Sequence, residues 1–120
     1  MSRLALIDDD ELVRTSVVQL LELRGHQVES FVSAESYLQS NPDDVRCIIV
    51  DYRLPGKSGC DLINELRAAG KLTPAILLSG NIDVNIEQLK NSVQNVWALR
   101  KPCLSAQLFE LIDACLKPNG

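Results

Sequence analysis

The sequence predicts an α/β protein: a doubly wound sandwich of five βα units around a parallel sheet. Three observations carry that expectation. Short, wholly apolar runs at Leu4-Ala5-Leu6-Ile7, Cys47-Ile48-Ile49-Val50 and Ala75-Ile76-Leu77-Leu78 read as strands buried on both faces, the pattern of parallel pairing. Segments with apolar residues at helical spacing alternate with the strands. The runs also end in polar chemistry, at Asp8-Asp9-Asp10, Asp51 and Ser79. Ligands bind beyond the carboxyl ends of strands in an open parallel sheet, so these distant residues are expected to converge in one acidic pocket.

Each element has its own signal. After the first strand, Glu11 to Arg24 places Leu12, Val13, Val17, Leu20 and Leu21 at helical spacing, and Gly25 supplies a left-handed stop. Gln27 to Phe31 alternates as a short strand. Ser33 is placed to cap a helix through Tyr37 and Leu38 that ends before Asn41-Pro42. The third strand runs to Asp51, and Tyr52 to Gly59, holding Pro55-Gly56, is a loop. Ser58 and Asp61 form a capping box for a helix to Ala69, which Gly70 stops.

Thr73-Pro74 leads into the fourth strand, and Asp83 opens a helix through Ile86, Leu89 and Val93 with a thin apolar face. Asn95 is suited to a left-handed turn before the fifth strand, Val96 to Arg100, which delivers Lys101-Pro102 to the same edge as the acids. Ser105 caps a last helix with Leu108, Leu111, Ile112, Cys115 and Leu116 inward. The right-handed crossover rule then makes the doubly wound sandwich the economical arrangement.

Composition narrows the function. A chain of 120 residues, 46% apolar, suits one domain over residues 1–120 with a real core. No apolar stretch reaches the roughly 18 residues of a membrane span, and no secretion signal opens the chain, so a soluble cytoplasmic protein is expected. A net charge of −4 without a Lys/Arg cluster disfavours direct nucleic-acid binding. Cys47, Cys60, Cys103 and Cys115 lack metal-ligand spacing and read as reduced core or surface thiols. His26, beside Gly25, reads as a solvated turn residue.

At the strand ends, Asp8 and Asp9 form an oxygen-ligand pair because the chain is already leaving the pleat there. With Asp51 they make a like-charged cluster that is costly unless a cation occupies it. Mg²⁺ suits the place, since it prefers one or two carboxylates, retained waters and a phosphoryl oxygen.

These residues resemble the receiver domain of two-component response regulators over essentially the whole chain. The resemblance rests on Asp8-Asp9, on Asp51 within Asp51-Tyr52-Arg53-Leu54-Pro55-Gly56-Lys57-Ser58-Gly59, on Ser79-Gly80 and on Lys101-Pro102. It implies a flavodoxin-like strand order 2-1-3-4-5. Asp51 would be the phosphoacceptor, served by a histidine kinase or a histidine phosphotransfer protein. Asp8, Asp9, Asp51 and the carbonyl of Arg53 would hold Mg²⁺, Lys101 would neutralise phosphoryl oxygens, and Ser79 would be the switching hydroxyl. Gly80 would leave the phosphorus open to attack, and Lys101-Pro102 sits where the family often has a cis peptide. The reading is a phosphoacceptor with self-phosphorylation and autodephosphorylation chemistry only. A changed surface on the fourth helix, fifth strand and fifth helix would serve a partner or a homodimer.

The chain departs from that family in two places, the fourth-helix region and the fifth strand. Val84 to Ser92 lacks the usual alanine-rich texture, and Gln94-Asn95 replaces the usual glycine region. Ala98 stands where the family usually has an inward-turning Tyr or Phe, while Trp97, by alternation, faces the other way. Two further readings remain: a receiver-like interaction module that is not phosphorylated, and a haloacid-dehalogenase-type phosphohydrolase using Asp8 and Asp10. The stretches Phe31 to Glu35 and Leu78 to Asn81 also resemble receivers joined to helix-turn-helix output domains, so the chain reads as either a stand-alone receiver or part of a longer regulator.

Overall fold

The computed structural model describes residues 3–81, 83–101 and 106–116. In chain order the elements are β1 (Arg3–Ile7), α1 (Glu11–Leu23), β2 (Gln27–Phe31), α2 (Ala34–Ser40), β3 (Cys47–Asp51), α3 (Gly59–Ala68), β4 (Ala75–Ser79), α4 (Val84–Ser92), β5 (Val96–Arg100) and α5 (Ala106–Leu116). All strand pairs are parallel and the order across the sheet is β2-β1-β3-β4-β5. The expected flavodoxin-like topology is therefore the observed one.

The pleat sends alternate residues of the inner strands to two cores. Ala5, Ile7, Ile48, Val50, Ala75 and Leu77 meet α2, α3 and α4 through Tyr37, Leu62, Ile63, Ile86 and Leu89. Leu4, Leu6, Cys47, Ile49, Ile76 and Leu78 meet α1 and α5 through Val17, Leu21, Leu108 and Ile112. Every residue of β3 and β4 is buried, which is why their sequences run apolar without alternation. At ~1.5–3 kcal/mol for each large aliphatic side chain, this double layer is the main favourable term in folding.

The capping signals are used as read. Ser33 accepts from the backbone N–H of Ser36, and Ser58 and Asp61 complete a reciprocal box. Gly25, Gly70 and Asn95 take positive φ at the expected chain reversals. Ser105, expected to cap the last helix, lies outside the described residues, as do Pro102 and Cys103.

Helix α1 corrects one expectation. Val17 and Leu21 are buried and Val13 packs beside them, but Leu12 is 79% exposed and Leu20 remains 36% exposed. Leu12 lies one residue, and so about 100°, from Val13, which swings it off the buried stripe. Helix α4 also stops a residue short of Val93, which takes an extended conformation while still packing on the core.

Candidate functional site

The pocket is built where four strands run out together. Asp8 follows β1, Asp51 ends β3, Ser79 ends β4 and Lys101 follows β5. Asp8 is 1% exposed and Asp51 is 7% exposed, whereas Asp9 beside them is open to solvent. One carboxylate oxygen from each of Asp8, Asp9 and Asp51 lies within 4.8 Å of the others. Among the described residues this is the acidic group compact enough to hold a metal ion.

Lys101 is the counter-charge. Its ammonium donates to Asp51 Oδ2 at 2.7 Å and stands 3.9 Å from Asp8 Oδ2, an ionic but not a hydrogen-bonding distance. The register supports this reach, because the Lys101 N–H donates to the carbonyl of Ser79 at 2.7 Å and extends the β4–β5 ladder into the site.

Asp8 is held from behind and left incomplete in front. Its Oδ1 accepts the N–H of Asp10 at 2.9 Å, and its carbonyl accepts Arg14 Nη1 at 2.7 Å. Its Oδ2 is buried with no hydrogen-bond donor. Burial pushes the Asp8 carboxyl above the ordinary range, against the pull of the Asp10 N–H, and the Asp51 charge adds to the rise. A buried, donor-poor carboxylate oxygen facing two other acids is the donor set that a small divalent cation completes.

Asp10 has another task. It caps α1, accepting from Leu12 N at 2.9 Å and Val13 N at 3.3 Å, and it is not part of the acidic trio. An Asp8–Asp10 nucleophile and acid pair has no support in that arrangement.

The Ser79 hydroxyl is engaged locally, donating to the carbonyl of Asn81 at 2.6 Å and accepting the Asn81 N–H at 3.1 Å. Arg53 donates its N–H to Asp51 Oδ1 at 3.3 Å. Space beside Gly80 is open: an added Cβ would meet nothing within 4 Å. Gly59 is the opposite case, because a Cβ there would sit 2.6 Å from the carbonyl oxygen of Asp51 and 2.7 Å from Leu77 Cδ1. The start of α3 thus presses directly on the backbone that presents Asp51.

All six expected site residues, Asp8, Asp9, Asp51, Arg53, Ser79 and Lys101, gather at this edge. The supporting contacts of three residues were not read from the sequence: Arg14, which braces Asp8, Asn81, which holds Ser79, and Glu35. Glu35 accepts the N–H of Lys57 at 3.0 Å and so ties the loop after Asp51 to α2. Contacts from neighbouring turns of the same pocket leave no periodicity to find.

Comparison with known proteins gives this architecture its class. The family described as response regulator receiver domain matches residues 4–113, and the chain belongs to that family, whose place is in two-component signal transduction. Among curated relatives, the transcriptional regulatory protein FixJ of Azorhizobium caulinodans is 37% identical over 114 residues, covering 92% of this chain and 53% of that protein. The response regulator protein TodT of Pseudomonas putida is 32% identical over 113 residues, covering 93% of this chain and 50% of that protein. The chain spans about half the length of these relatives. Among solved structures, chemotaxis protein CheY4 of Vibrio cholerae superposes with TM-score 0.86 at 22% identity, covering 97% of this chain and 99% of that one. Response regulator TrrA of Thermotoga maritima, solved in complex with Mg²⁺ and BeF, gives 0.82 at 21% identity, covering 97% and 100%.

Proposed function

We propose that this chain accepts a phosphoryl group on Asp51 from a histidine kinase or histidine phosphotransfer protein, with Mg²⁺, and thereby changes its interaction surface. The observation that carries the reading is the Asp51 carboxylate, held between the Asp8–Asp9 acids and the Lys101 ammonium at 2.7 Å. An Asp51 oxygen attacks phosphorus, the nitrogen–phosphorus bond of the donor breaks, and the imidazole leaves. Little covalent work falls to the protein in such a transfer, so positioning and charge neutralisation supply the catalysis.

Asp8, Asp9, Asp51 and the Arg53 carbonyl would hold the metal, which when bound offsets the charge of phosphoryl oxygens. Lys101 does the same as a point charge from the other side. Ser79 would exchange its bond to the Asn81 carbonyl for one to the new phosphoryl group, drawing the β4–α4 loop with it. Gly80 leaves the approach to phosphorus clear. The Mg²⁺ and BeF complex of the TrrA relative supports the same assignment by likeness of fold.

The resulting surface would be read on α4, β5 and α5. A groove of about 370 Å³ lies there, lined by Lys90, Trp97, Leu99, Glu110 and Leu111 around the small Ala98. Lys90 and Glu110 offer opposite charges to a second copy related by a two-fold axis. We place the chain in the cytoplasm as the receiver part of a regulator, with no nucleic-acid contact of its own. Among the described residues no helix is long and apolar enough to cross a membrane.

Incubation with Mg²⁺ and a small phosphodonor, followed by intact-mass measurement, tests the central claim. Wild type should gain one phosphoryl mass and Asp51→Asn should gain none. An equal gain in the variant would transfer the modification elsewhere, and no gain in wild type would favour a receiver-like module that is not phosphorylated.

A further inference from the structure

The loop from Tyr52 to Ser58 joins β3 to α3. It is closed at its base, where the Gly59 N–H donates to the Tyr52 carbonyl at 3.0 Å. Near its start, the Arg53 N–H donates to Asp51 Oδ1 at 3.3 Å. Its far side is held by Glu35 of α2. Glu35 Oε2 accepts the Lys57 N–H at 3.0 Å, and the same oxygen stands so close to Gly56 that an added Cβ would overlap it. Gly56 also takes a left-handed φ of +77°, so two separate demands put glycine there. The Lys57 ammonium meanwhile pairs with Glu65 Oε2 of α3 at 2.7 Å. The Lys57 N–H holds the Glu35 carboxyl below its ordinary range, so the acceptor is ionised at neutral pH and the bond is charge-assisted.

A backbone carbonyl has no rotamer of its own to adjust, and its aim follows from the dihedrals of the loop that carries it. The Arg53 carbonyl belongs to this loop and would be the one neutral protein ligand of the metal site. We propose that Glu35 is a positioning residue for that site: its hold on Gly56 and Lys57 fixes the loop that aims the Arg53 carbonyl, so Mg²⁺ affinity depends on a side chain outside the acidic trio. The inference rests on the reading of Asp8, Asp9, Asp51 and the Arg53 carbonyl as metal ligands, and supplies the support behind one of them. Partners outside the ligand shell set affinity by fixing the ligands' orientation.

A purely electrostatic effect would have the same sign, because removing any nearby anion weakens the binding of a cation. The two part at glutamine. It keeps an oxygen for the Lys57 N–H and gives up the charge.

Calorimetric titration of the full chain with magnesium chloride alone is the test, with amide exchange at Lys57 as the report on the clamp. Glu35→Ala should weaken Mg²⁺ binding about tenfold and quicken Lys57 exchange. Glu35→Gln should recover most of both. Wild-type affinity or unchanged Lys57 exchange in Glu35→Ala would overturn the proposal and leave the metal site standing, as would an affinity loss that Glu35→Gln shares in full. An Asp8→Asn, Asp9→Asn variant separates that failure from a failure of the site itself. Affinity kept in this variant, or no binding by wild type, would remove the metal site and the role of Glu35 with it.

Discussion

Asp8 carries an electrostatic cost that the rest of the pocket does not relieve. Its carboxyl is raised by burial and by Asp51, so the folded chain binds a proton there more tightly than the unfolded chain does. For an acid raised on folding, the contribution to stability is favourable at low pH and lost as pH rises through the folded value. Asp8→Asn should therefore stabilise the metal-free protein at neutral pH and raise its thermal midpoint. The gap between variant and wild type should narrow as pH falls through the raised Asp8 value toward the ordinary 3.8. Paired calorimetric scans across that range check both signs. A gap that widens on acidification would place the cost at another residue. Mg²⁺ should reverse the order at neutral pH by stabilising wild type and leaving the variant unmoved. The residue identities at this site were legible because each ends a strand, a position that sequence marks sharply. The unpartnered Oδ2 of Asp8 was not, since it depends on which donors the folded loop withholds.

Between elements, two residues decide how the layers meet. Gly59 starts α3 against the Asp51 carbonyl, and Gly59→Ala should cost about 1–3 kcal/mol and displace the strand end that carries Asp51. Gly80→Ala, facing open space, should leave the urea midpoint unchanged, and the contrast between the two variants is the check. Arg67, near the end of α3, donates to the carbonyls of Lys71, Thr73, Gln94 and Asn95 and so clamps the chain before both β4 and β5. Arg67→Ala should lower stability by ~2–3 kcal/mol in denaturant titration. Arg67→Lys should recover little, because one ammonium cannot span four acceptors. Element positions were readable from caps and turns: Ser33, Ser58, Gly70 and Asn95 all act locally. Which face of α1 turns inward was less so, as Leu12 shows, and Arg67 had no signal at all, because its partners are carbonyls that every residue possesses.

Across the whole molecule, switching is a question of how far a few bonds move a population. Passing from 1:99 to 99:1 needs ~5.5 kcal/mol of differential stabilisation, and on the proposed function two charge-assisted contacts from Ser79 and Lys101 to a phosphoryl group would supply ~1.5–3 kcal/mol each. An inward-turning aromatic cannot relay the change, because Ala98 packs on the α2–α4 core in its place. Amide exchange should accordingly change across residues 83–101 when a phosphoryl mimic binds, and the change should shrink in Ser79→Ala. Protection confined to residues before Ser79, or undiminished in that variant, would exclude this route.

The strand order has a further meaning for the chain as it is made. The acids arrive with β1 and β3, but the ammonium that answers Asp51 follows β5, at the edge of the sheet. Until β5 is made, the carboxylates of Asp8 and Asp51 lack the Lys101 ammonium. If Asp51 is the phosphoacceptor, the neutralising side of its pocket would be completed only when β5 joins the sheet.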